Sequence, residues 1–504
     1  MRRLTLSAGQ RRKRGVLLLR VPRWVFPLVA VIAATLFALA WWSFHFPLTY
    51  CDSPTWAPAY FEQLVGQPLH LGDRNRGWLV PAYFQALGWL SIRLGIGNLI
   101  GFVQATAMLA LLLWLCRVLF QGAIVVELIL LPALLLSLLR YAVYSQTIFS
   151  EPLGLMISVP VWLVILGRAV GLGRSAVAGA GTMLLGSLRP DNLYLPPVLL
   201  ARILTQADPW HRQLRNAGVA LLCITATAVG VRALQSAAPR GESQLGQLMV
   251  VAEWMRYTAP PQNVVAGWLR FDLVDRLLPE VQRRTIRTIY DGLPATQRTF
   301  RSYPTPAGWL TVARFVAYQC VNRPWQVLAD RLATLTDLYA STYAAYWPEY
   351  PPWGNYYSGY DPVLSRWTPT QLDEARYSCP RFAQAQARYF QEPAVRSDTS
   401  LRVLLWLHHV GTYYAVTLLR PLVYLALPAA LIAFLRRRPN PMYIWLTVII
   451  AAHLSLRAFL VCADERYELP VDILLLGWVA LTLRMTVQRN SDLPARTTGA
   501  HRAR

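Results

Sequence analysis

Five short stretches of this chain set ionisable side chains beside long apolar runs. Asp52 stands in Tyr50–Cys51–Asp52–Ser53–Pro54 and Glu151 in Ser150–Glu151–Pro152. Arg189 and Asp191 share Leu188–Arg189–Pro190–Asp191, His408 and His409 are adjacent, and Asp464, Glu465, Arg466, Tyr467 and Glu468 precede the last apolar run. Charge beside or inside a lipid-spanning segment is costly, so such residues are functional hypotheses by default. A carboxylate in reach of a hydroxyl can act as a general base, and arginine makes bidentate contacts to phosphate. Each residue also has a plainer reading. Asp52 suits a helix cap or a solvated loop. Glu151–Pro152 suits a helix start, where an acid complements the dipole and proline fits the first turn. Glu465–Arg466 suits a structural ion pair, and the two histidines suit an interface.

The elements that must position these residues follow from composition. The 504 residues are 55% hydrophobic, 12% aromatic and 15% charged, where an ordinary globular chain is about 25% charged. Scarce charge with long apolar runs makes lipid the main solvent. Six cysteines are too few for a disulfide scaffold. A net charge of +23 would suggest nucleic acid in a soluble protein. Here no basic face stands apart from the loops between apolar runs, where membrane proteins concentrate arginine, so no nucleic-acid partner is expected. Lys13 is the single lysine, and this arginine bias fits a GC-rich bacterial genome.

A basic stretch, 1–24, leads into an apolar run that reads as an uncleaved anchor helix. Further apolar runs lie near 98–116, 123–140, 152–167, 175–188, 192–204, 217–235, 417–435, 441–461 and 469–486, each approaching the roughly 20 residues that cross a bilayer. The segment 78–94 carries Pro81, Gln85, Gly88 and Arg93 and is expected to lie along the outer surface. Arg117, Arg168, Arg174, Arg202, Arg212, Arg215, Arg436, Arg437, Arg438 and the tail then all face the cytoplasm, as the positive-inside rule requires. The expected architecture is an all-α polytopic membrane protein with about ten transmembrane helices and both termini cytoplasmic. The expected units are a transmembrane module over 25–236 with an outer loop 44–97, a mainly helical and irregular outer domain over 237–400, C-terminal transmembrane helices over 401–486, and a basic tail over 487–504. Within the outer domain, periodicity predicts a helix in 309–345. Cys320 and Cys379 form either a disulfide or two thiols. The aromatic residues of 339–360 serve interface anchoring, ordinary packing or a saccharide platform. No HExxH, CxxC, Walker or GxGxxG pattern offers a metal or nucleotide site.

On this topology all five stretches fall at outward-facing span ends. Their order resembles the GT-C superfamily of membrane glycosyltransferases, including bacterial relatives of protein O-mannosyltransferases and lipid A aminoarabinose transferases. Asp52 matches the family's early loop acid, although Ser53 replaces the second acid of the usual pair. Gly77–Trp78–Leu79–Val80–Pro81–Ala82–Tyr83–Phe84 is similar to its juxtamembrane segment. Tyr144–Ser145–Gln146 through Glu151–Pro152–Leu153 is similar to its outer-loop segment. Arg189–Pro190–Asp191 resembles its Arg-Pro-acid segment, and Arg466–Tyr467–Glu468–Leu469–Pro470 its Arg-Tyr-x-x-Pro segment. The likeness covers about 20–235 and 400–486.

The resemblance implies a GT-C-like fold in the bacterial inner membrane and transfer of a sugar from a polyprenyl-phosphate donor. The acceptor hydroxyl, on a saccharide, lipid or protein, would lie at the outer face. Asp52 would be the base and Glu151 would orient the acceptor or a cation, or share the proton. Arg466 and Arg189, with Arg76 third, would hold the departing phosphate. Asp191, Glu465, Tyr467, His408 and His409 are secondary. A divalent cation is left open, since the superfamily includes metal-dependent and metal-independent members. Two other readings stand beside this one. A transporter or flippase would need charge within the spans, where Glu127 is the main acid. A polysaccharide ligase or polymerase would lean on His408 or His409 instead of Asp52.

Overall fold

The computed structural model describes residues 25–44, 79–120, 124–146, 150–167, 170–188, 192–237, 316–317, 319–340, 399, 403, 420–436, 440–460 and 471–492. Among the described residues the regular elements are all helices. They are α1 (Val25–Ser43), α2 (Leu79–Leu94), α3 (Leu99–Leu119), α4 (Ile124–Tyr144), α5 (Ser150–Leu166), α6 (Leu172–Leu188), α7 (Leu195–Leu204), α8 (Trp210–Ala237), α9 (Pro324–Ala340), α10 (Arg420–Arg436), α11 (Pro441–Leu460) and α12 (Asp472–Asp492).

Among the described residues, α1, α3 and the Trp210–Leu234 part of α8 are long and apolar enough to cross a membrane. Shorter apolar helical stretches are Leu130–Tyr144 in α4, Glu151–Leu166 in α5, all of α7, and Pro441–Leu456 in α11. With ten residues, α7 rises about 15 Å, roughly half a bilayer's hydrocarbon thickness.

The bundle is organised around α3, α4, α5 and α12. Helix α1 buries Val29, Ala33, Phe37 and Ala40, a spacing of three and four that makes one face, and packs it on α3 and α4. Its Phe26, Leu28 and Val31 point away from the bundle. Helix α4 packs against α12 as well, and α11 packs against α5, α7 and α12. Helices α6 and α8 approach closely at Gly179, where an added Cβ would lie 2.6 Å from the Ala220 carbonyl oxygen. The far side of α8 leaves Leu221, Leu222 and Val229 exposed, as expected of a helix facing lipid.

Polar side chains fasten both ends of the bundle. At one end Trp41 Nε1 donates to the Asn98 carbonyl at 3.1 Å, and Asn98 Nδ2 donates to the Phe44 carbonyl at 3.4 Å. The finish of α1 and the start of α3 therefore lie side by side. Helix α2, within the intervening segment, buries Val80, Phe84 and Leu87 and packs on α3 and α6. It stops at Gly95, whose φ of +67° glycine alone adopts freely. The Ile96 amide then reaches the Ser91 carbonyl at 3.1 Å, which closes the helix end. At the opposite end Arg202 donates to the Ile165 and Gly167 carbonyls at 3.0 and 2.7 Å, using the orphan acceptors that every helix C-terminus leaves.

Helix α9 falls within the stretch expected to be helical in the outer domain. It starts at a proline, which suits a first helical position, and packs on α11 and α10 through a face that includes buried Val327 and Arg331. Cys320, just before it, is a free thiol; Cys379 lies outside the described residues.

Candidate functional site

The last two turns of α4 bring together the start of α3, the start of α12 and the approach to α5. Arg140 Nη1 donates to Asp472 Oδ2 at 2.5 Å, with the two side chains 2% and 4% exposed. The neighbouring Tyr141 is fully enclosed. Arg140, near the end of α4, thus holds the first residue of α12. Breaking such a pair strands a charge and costs about 3–5 kcal/mol, although forming it is near neutral. It therefore fixes where α12 begins more than it adds stability.

A turn later, Gln146 is the hub of an uncharged network. Its Oε1 accepts from Asn98 Nδ2 at 3.0 Å, and its Nε2 donates to the Gly101 carbonyl at 3.3 Å and to Ser145 Oγ at 2.9 Å. Asn98 Oδ1 accepts from the Gly101 amide at 3.2 Å, capping α3. Gly101 leaves the room: a Cβ there would sit 2.3 Å from Gln146 Oε1 and 2.5 Å from Asn98 Oδ1. All three side chains, Asn98, Ser145 and Gln146, are buried.

Glu151 follows in the first turn of α5 and is 4% exposed. There the helix N-terminus favours its negative charge, and Pro152 removes an amide that would otherwise lack an acceptor. A second polar pair links α7 to α11: Tyr194 Oη lies 3.2 Å from His453 Nδ1, with the rings edge to face at 5.9 Å. Tyr194 precedes Leu195, Pro196 and Pro197. Two of the first amides of α7 are therefore absent, so the start of this helix presents few donors to an anion.

Of the candidate catalytic, phosphate-binding and secondary site residues, Glu151 is the one the described residues include. Asp52, Arg76, Arg189, Asp191, His408, His409, Glu465, Arg466 and Tyr467 lie outside them. Sequence reasoning passed over Arg140, Asp472, Tyr194 and His453. Arg140 closes the apolar run 123–140 and Asp472 lies in the last run, 469–486; an arginine and an aspartate in two apolar runs are the signal for a buried pair. Among the described residues no three His, Cys, Asp or Glu side chains converge as a metal site. No protein-family model, curated protein or solved structure matches this chain.

Proposed function

We propose that the chain is a membrane glycosyltransferase that moves a sugar from a polyprenyl-phosphate donor to an acceptor hydroxyl at the outer face. The reading includes about ten spans, both termini in the cytoplasm, and the bacterial inner membrane. The observation that carries it is the junction at the end of α4. Phe44, Asn98, Gln146, Glu151 and Asp472 come from distant parts of the chain and belong to helix ends that this junction links. Asp52 follows Phe44, and Arg466 precedes Asp472, each by only a few residues. The segments bearing Asp52, Glu151 and Arg466 thus adjoin helix ends that Arg140 and Gln146 link or follow closely in the chain.

The chemistry is a single displacement. The acceptor oxygen attacks the anomeric carbon while the Asp52 carboxylate takes its proton. The bond from that carbon to the phosphate oxygen breaks, and the lipid phosphate leaves with the electron pair. Arg466 and Arg189 would stabilise that dianion by charge-assisted hydrogen bonds. The sugar carbon inverts. Half of the donor is lipid, so the site needs no soluble nucleotide. Asp52→Asn tests the assignment, because it keeps the side-chain shape and removes the base.

One observation favours a second reading. The Arg140–Asp472 pair is buried charge inside an apolar bundle, and such charge often marks a transport path. Movement of lipid-linked saccharide across proteoliposomes without a new glycosidic bond would support a flippase over a transferase.

A further inference from the structure

Among the described side chains of α9, some are buried and others are exposed. Val327 and Arg331 are buried, with 5% and 6% exposure, and α9 packs on α11 and α10. Trp325, Leu328 and Leu332 are 80%, 49% and 52% exposed, and Val321 in the preceding turn is 78% exposed. Trp325, Leu328 and Leu332 stand at i, i+3 and i+7, a single stripe on a helix. The sequence keeps that spacing with Leu335 and Tyr339. Beside it, α10 buries Val423, Ala426 and Ala430 and turns Leu425, Leu427, Leu431 and Ile432 outward.

We infer that α9 lies flat in the lipid headgroup region, with Trp325, Leu328 and Leu332 dipped into the top of the acyl chains. Three observations choose lipid as the occupant. Helix α10, which α9 contacts, also turns Leu425, Leu427, Leu431 and Ile432 outward. Its most exposed member is tryptophan, the residue that membrane interfaces select. Arg323, also exposed, flanks the stripe where anionic headgroups would meet it. Interfacial helices bury their apolar face about 5–10 Å into this boundary. The consequence is that the long polar stretch between α8 and α10 is tied to the bilayer through α9. The inference rests on membrane residence and not on the transferase reading.

The test uses the full chain in vesicles of phosphatidylethanolamine and phosphatidylglycerol, with and without bromine near the top of the acyl chains. The protein has 19 tryptophans, so the signal of interest is the wild-type emission minus that of Trp325→Phe. Shallow bromolipid is expected to quench most of this difference, and aqueous iodide to leave it nearly unchanged. Gln326→Trp in the Trp325→Phe background reports the exposed polar side and should respond to iodide. Moving the reporter along the stripe with Leu328→Trp in that background should restore bromolipid quenching. Iodide quenching of the Trp325 signal would overturn the inference by placing the stripe in water. Protection from both quenchers would also overturn it, by showing that another segment or a second copy of the chain covers the stripe.

Discussion

Arg140 and Asp472 are 332 positions apart in the chain and meet at 2.5 Å inside an apolar bundle. Both side chains are almost fully enclosed, so each neutralises the other where water cannot. Arg140→Ala or Asp472→Ala leaves one charge stranded and is expected to lower stability by about 3–5 kcal/mol. Arg140→Met combined with Asp472→Leu removes both charges and should fold more stably than either single variant. Thermal unfolding in detergent measures this. A double variant no better than the worse single one would mean that the two charges do not depend on each other.

Gly101 makes room for Asn98 and Gln146, so Gly101→Ala must push at least one of them away. The expected loss is about 1–3 kcal/mol, the range for leaving a buried polar group unsatisfied. In a Gln146→Ala background the same change should cost less but still destabilise, because Asn98 Oδ1 stays 2.5 Å from the new Cβ. Equal losses in both backgrounds would contradict the close approach of Gln146.

Gly179 performs a similar service between α6 and α8. Gly179→Val should destabilise the protein by about 1–3 kcal/mol, the usual range for overpacking. The obstacle is Ala220 backbone, which no truncation removes, so Ala220→Gly should not rescue the variant. Restoration by that substitution would relocate the clash to a side chain.

Burial pushes the Cys320 thiol above its ordinary value, and the Arg331 guanidinium pulls it part of the way back. The reactive thiolate is then scarce near neutral pH. Alkylation of Cys320 should keep accelerating above about pH 8.5, the ordinary cysteine value. Arg331→Gln removes the cation that favours thiolate, so its alkylation at pH 8 should be slower. Mass-spectrometric rates for the Cys320 peptide decide this; faster alkylation in Arg331→Gln would reverse the sign of the argument.

Much of the helical layout was legible from apolar runs alone. The run at 152–167 corresponds to α5, the run at 441–461 to α11, and the periodicity within 309–345 to α9. Boundaries drifted where helices continue past their apolar part. Helix α8 starts at Trp210, before the run at 217, and α12 ends at Asp492, beyond 486. Hydropathy reads the preferred solvent, whereas helical hydrogen bonding continues through residues such as His211, Gln213 and Arg215. Local reading stopped the fourth helix near Arg140 because an arginine ends an apolar run. The helix continues to Tyr144 because that charge is matched by Asp472, a partner no local window contains. Glu151 was readable as a first-turn acid for the opposite reason: its motif lies within three residues.

The proposed activity stands or falls on Asp52. Membranes containing the wild-type chain or Asp52→Asn, at matched protein levels, are given radiolabelled polyprenyl-phosphate hexose or pentose, and label reaching acceptor is followed over time. Wild type should consume donor and release polyprenyl phosphate. Asp52→Asn should lose about 10²- to 10⁴-fold in rate, the usual contribution of a general base, while its unfolding temperature is unchanged. Transfer by Asp52→Asn at the wild-type rate would contradict the account.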